Sequence, residues 1–100
     1  MVKLVVAYGA PDDPAAFEQY YASTHTPLVH EIPNLRRFEA GKVLATPDGS
    51  PPPYHYLAQL YFDDLESLQG ALGSPEGAAA AGDLANFASG GATLMIAEAS

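Results

Sequence analysis

The chain contains no cysteine. That removes disulfides, thiolate nucleophiles, iron–sulfur clusters and cysteine-ligated zinc together, and it fits a cytoplasmic protein. Basic residues are nearly as scarce. Four Lys and Arg stand against twelve Asp and Glu, for a formal net charge of −8. Four cations cannot build a phosphate-binding stripe, and the field repels polyanions, so neither nucleic acid nor an anionic membrane surface is expected as a partner. Long apolar runs are missing as well. The run over residues 4–8 is far too short to span a bilayer, and Asp12-Asp13 follow it so closely that it reads as a first strand instead of a leader. No Gly-x-Gly-x-x-Gly, Walker, His-Glu-x-x-His or Gly-x-Ser-x-Gly pattern occurs. The expectation is therefore no cofactor, no metal and no serine nucleophile elbow.

What is present is globular. Of 100 residues, 48% are hydrophobic, enough for one domain (1–100) with a real core. Residues 2–8 read as a strand that is apolar at nearly every position, which implies cover on both faces. Asp13 can cap a helix with Pro14 at its first position, running to about residue 23, with a further turn from 27 to 32. A second strand is expected over 35–44, bulged at Gly41, and a third over 54–62 after a Pro-rich loop. Asp63 with Glu66 suggests a capping box, and Ser74-Pro75-Glu76 opens another helix. Residues 92–98 form the last strand. Strand, helix, strand, strand, helix pair, strand is the α+β, ferredoxin-like βαββαβ plan, an antiparallel sheet with helices on one face. Helices on one face leave the other bare. Apolar residues on both faces of the first and third strands therefore point to a second copy packed sheet to sheet, closing a barrel in a homodimer.

The segment 17–32 carries the most chemistry. At roughly 100° per residue, Phe17, Tyr21, Thr24, Leu28 and Ile32 form one apolar stripe. His25 falls at its edge, half-buried, and His30 faces water. Pro27 cannot donate to the carbonyl of Ser23 and biases Thr26 away from helical angles, so a kink or a restarted helix is expected beside His25. A titratable ring beside a helix break is where a polar pocket can open.

Three stretches resemble the EthD family (ethyl tert-butyl ether degradation) of the dimeric α/β barrel superfamily. They are Val2-Lys3-Leu4-Val5-Val6-Ala7-Tyr8-Gly9, His25-Thr26-Pro27-Leu28 with Ile32-Pro33-Asn34-Leu35-Arg36-Arg37 after it, and residues 61–68 through Ser74-Pro75-Glu76-Gly77. The resemblance implies a dimeric α/β barrel with a pocket between sheet and helices, faced by His25. It implies little about chemistry. The family's oxidoreductase label arises by association with an ether-degrading monooxygenase system, and the absence of a nicotinamide motif counts against a literal reductase.

His25 is the candidate proton-transfer group, because its ordinary pKa of about 6.5 suits general acid–base work. Tyr21, one turn earlier, can orient the imidazole or donate to a substrate oxygen; it is otherwise a core ring with its hydroxyl at the edge. His55, Gln59 and Tyr61 share a strand face. They are polar substrate contacts if that face lines the cavity, and solvent or interface residues if it does not. Two functions follow. One is a cofactor-free oxidoreductase, isomerase or decarboxylase-type enzyme acting on a small apolar organic compound. The other is a non-catalytic carrier or accessory subunit with the same pocket.

Overall fold

A computed structural model describes residues 1–99. The elements are β1 (Val2–Tyr8), α1 (Pro14–Tyr20), a π-helical turn (Tyr21–His25), α2 (Thr26–His30), β2 (Arg37–Lys42), β3 (Tyr56–Phe62), α3 (Leu65–Leu72), α4 (Pro75–Phe87) and β4 (Ala92–Glu98). The sheet has the order β2-β3-β1-β4, and every neighbouring pair is antiparallel. This is the ferredoxin-like arrangement expected from the element order.

The local signals act as their chemistry dictates. Asp13 accepts from the Ala16 N–H with Pro14 at the first helical position, and Ser74 accepts from the Gly77 N–H with Pro75 behind it. Three expectations shift. The cap of α3 is Asp64, which accepts from Ser67 N–H at 2.8 Å, while Asp63 turns outward to take the Arg36 guanidinium, also at 2.8 Å. Gly41 makes no bulge; it pairs directly with Leu57 in the β2–β3 ladder. The strand β2 is also shorter than 35–44, beginning at Arg37 and ending at Lys42.

Leu4, Val6 and Tyr8 of β1 and Ala58, Leu60 and Phe62 of β3 face the helices and form the core with Phe17, Tyr21, Val29, Leu68 and Ala71. The opposite sheet face carries no layer. There Val5, Leu57 and Met95 lie beside a polar group in which Lys3 Nζ donates to Gln59 and Tyr61 Oη donates to Glu39. That face is thus apolar at one end and polar at the other, more mixed than a pattern of two greasy faces suggests. On the helix side, Leu94 and Ile96 of the edge strand β4 remain about half exposed.

Candidate functional site

The helical run from Pro14 to His30 does not break at Pro27. Instead its middle turn widens: Thr26 N–H donates to the carbonyl of Tyr21, an i→i−5 bond. A wider turn advances the chain by less than 100° per residue. Side chains four apart therefore stay on one face where a pure α-helix would drift by roughly 40° each time. The buried positions are accordingly Phe17, Tyr21, His25, Val29 and Ile32. Thr24 is exposed and Leu28 only half-buried, so the expected stripe is corrected by the π turn. His25 moves from the edge of the stripe to its centre and is 4% exposed. His30 is exposed, as its phase suggested.

A buried imidazole needs partners. His25 Nδ1 lies 2.9 Å from Oδ2 of Asp83, in α4. Asp83 is itself 7% exposed, and its Oδ1 accepts from Tyr20 Oη at 2.6 Å and from Asn86 Nδ2 at 2.9 Å. Burial works to raise the Asp83 carboxyl, but the donors from Tyr20, Asn86 and His25 outweigh it and hold the group below the usual carboxylate value. An ionised carboxylate can only accept, so the proton of the His25–Asp83 bond resides on Nδ1. In the neutral ring that leaves a lone pair on Nε2, which makes no hydrogen bond among the described residues. The ring is clamped between Tyr21 and Phe87, with centroids at 5.0 and 4.7 Å.

His25 lines a cavity of about 50 Å³ between the sheet and the helices. Tyr8 and Tyr21 line it too; the other walls are hydrocarbon, including Leu4, Val29, Leu60, Ala80 and Leu94. This volume suits a molecule of only a few heavy atoms, since benzene needs roughly 150 Å³. Leu94, 48% exposed on an edge strand, and the exposed Ala81 on α4 are walls that reach solvent. The Tyr21 hydroxyl is buried and has no hydrogen-bond partner among the described residues.

The other residues singled out from sequence lie elsewhere. Gln59 and Tyr61 sit on the sheet face away from the helices, bound to Lys3 and Glu39. His55 does not share their face. It precedes β3 and turns toward α1, edge-on to Phe17 at 5.6 Å with Nε2 3.5 Å from Glu18. The structure thus joins His25 with Tyr21 and separates both from the β3 residues. Sequence reasoning missed Asp83, Tyr20 and Asn86. One signal was available: Asp83 is the single charged residue between Gly77 and Gly90, at helical spacing from Ala80 and Phe87 on a face that becomes buried.

Known proteins share the sequence and fold of this chain. Residues 11–91 match the family model described as the EthD domain. The chain is 49% identical over 96 residues to an uncharacterized 11.0 kDa protein of the thcB-thcC intergenic region of Rhodococcus erythropolis, covering 96% of this chain and 92% of that one. It is also similar to a crystal structure of an EthD family protein from Bacillus halodurans. There the identity is 39%, the TM-score 0.92, and the coverage 100% and 99% of the two chains. A dimeric protein of unknown function with a ferredoxin-like fold, from Bacteroides fragilis, shares the fold at 20% identity and a TM-score of 0.69, over 98% and 95% of the chains.

Proposed function

This chain belongs to the EthD family, and on that premise we propose that it is a homodimeric, small-molecule enzyme in which His25 transfers a proton to or from a largely apolar organic compound held between sheet and helices. One observation carries the reading: a buried imidazole whose Nδ1 is committed to an ionised Asp83 and whose Nε2 has no partner among the described residues, in a ring that lines a cavity walled, apart from Tyr8 and Tyr21, by hydrocarbon. Such a ring has a defined tautomer and orientation, which a general base requires. Asp83 holds the imidazole in place and stabilises the cation formed when Nε2 takes a proton. It touches no ligand and acts as a positioning residue.

The tautomer is directly measurable. Long-range ¹H–¹⁵N spectra should report Nδ1–H for neutral His25, and Asp83→Asn, whose amide can donate to the ring, should move the proton to Nε2. A wild-type ring already protonated on Nε2 would remove the basis of the proposal. A carrier with the same cavity, by contrast, would bind its ligand without turning it over.

The homodimer is supported by the bare sheet face and by Leu94, Met95 and Ile96 of β4, each about half exposed in the single chain. A second copy is the economical cover, and a stable interface of this kind should bury on the order of 2,000 Å². Light scattering at micromolar concentration should return the mass of two chains; the mass of one would overturn this part. Gln59 and Tyr61 then belong to that interface and not to the His25 cavity. No described helix is long and apolar enough to cross a membrane.

A further inference from the structure

We propose that the compound bound beside His25 is a small carbonyl compound with a removable hydrogen next to the carbonyl, and that Tyr21 binds the carbonyl oxygen. The inference rests on the reading of His25 as base and adds to it the chemical class of the ligand.

The starting point is the orphaned hydroxyl. Tyr21 is 2% exposed, and among the described residues its Oη has no partner, in an interior where Asp83 has three donors and His25 has its acceptor. An unpaired buried hydroxyl is costly, and a ligand oxygen in the cavity would relieve it. Burial pushes the Tyr8 phenol up to about 12. It pushes Tyr21 higher still; the Tyr8 phenol beside it adds to the effect, and the contact between the two hydroxyls falls short of ordinary hydrogen-bond geometry. Both therefore keep their protons at neutral pH, and both residues line the cavity, where the Tyr21 O–H is available as a donor.

The cavity thus asks three things of a ligand: an oxygen that accepts from Tyr21, a hydrogen that Nε2 of His25 can remove, and hydrocarbon elsewhere. A carboxylate or phosphate finds no Lys or Arg among the lining residues, in a chain of net charge −8. An amine finds no free carboxylate, because Asp83 is already shared by three donors. A simple alcohol or ether supplies the acceptor but no C–H whose removal places charge on that oxygen. A ketone, aldehyde or lactone with a hydrogen on the adjacent carbon supplies both. In the step itself, the C–H bond breaks and its proton bonds to Nε2. The C–H electron pair becomes the carbon–carbon double bond of the enolate, and the carbonyl π pair moves onto oxygen, where the Tyr21 O–H stabilises it. Asp83 balances the imidazolium. Return of the proton to the same or a conjugated carbon completes exchange or isomerisation, and no oxidant or reductant enters.

Butanone, with five heavy atoms, is the probe. Its uptake of deuterium from D₂O, followed by ¹H NMR, is compared for wild type, Tyr21→Phe and His25→Ala, each checked for folding by its own amide spectrum. Tyr21→Phe removes one oxygen atom and leaves the ring packing in place. The wild type should accelerate exchange, His25→Ala should abolish the acceleration, and Tyr21→Phe should reduce it about 100- to 1,000-fold, the usual effect of losing one oxyanion donor. Exchange unchanged in Tyr21→Phe but lost in His25→Ala would overturn the role of Tyr21 and leave the base reading intact. Absence of wild-type exchange, whether or not butanone shifts the His25 ring signals, would overturn the substrate class alone. Exchange that persists in His25→Ala would overturn this inference and the base reading together.

Discussion

Replacing His25 by alanine is expected to lower proton-transfer turnover about 100- to 10,000-fold while the protein still folds. Both halves of that expectation come from the hydrogen bonds. Asp83 loses one donor but keeps Tyr20 and Asn86, so its charge is not left bare in the interior. The loss of the His25 bond and of the ring's contacts with Tyr21 and Phe87 should cost about 1–3 kcal/mol. At about 4–8 °C per kcal/mol for a domain near this size, the melting temperature falls measurably. The informative companion is His25→Gln, whose amide can still donate toward Asp83 but has no basic nitrogen. It should recover much of the lost stability and none of the turnover. Melting temperature, binding of whatever compound copurifies, and butanone exchange are to be read on the same samples. A lowered melting temperature with binding and exchange unchanged would show that the imidazole is architecture.

Gly77→Ala should be strongly destabilising for so small a substitution. The Gly77 N–H is capped by Ser74, so its position at the start of α4 is set. A methyl group there would lie 2.0 Å from the carbonyl oxygen of Ala71 and 3.0 Å from the Leu72 Cα. Both obstacles are backbone, so no rotamer change can relieve the clash. The turn between α3 and α4 must open instead. Overpacking of a core costs about 1–3 kcal/mol and more where nothing can yield, so a drop of at least 10 °C in melting temperature is a fair expectation. Because Gly77 also lines the His25 cavity, the displacement of α4 should move Asp83 and disturb the His25 tautomer in the same variant. A melting temperature within about 2 °C of wild type would mean that the α3–α4 contact is looser than its backbone spacing indicates.

Short-range chemistry was legible from the residues in order. The bounds of β1 and β4, the caps at Asp13 and Ser74, the prolines that follow them and the βαββαβ order all match the folded chain. Each depends on neighbours within a few positions, where propensity and capping act. The prominence of His25 was legible too, because it stands near Pro27 on an amphipathic helix. Its depth was not. At the ordinary 3.6 residues per turn the ring falls at the edge of the apolar stripe, and a single π turn over Tyr21–His25 brings it to the centre. The partner of His25 lies 58 residues away, and no local rule pairs an imidazole with a carboxylate at that separation. Alternation along β3 divides its residues between two faces, but only the placement of the helices decides which face becomes core. That choice set Gln59 and Tyr61 on the uncovered side and His55 against α1. Periodicity and capping therefore determined the elements and their order. The wider turn, the long-range ion pair and the identity of the covered sheet face came from tertiary packing, because each minimises the cost of burying polar groups that only the folded chain brings together.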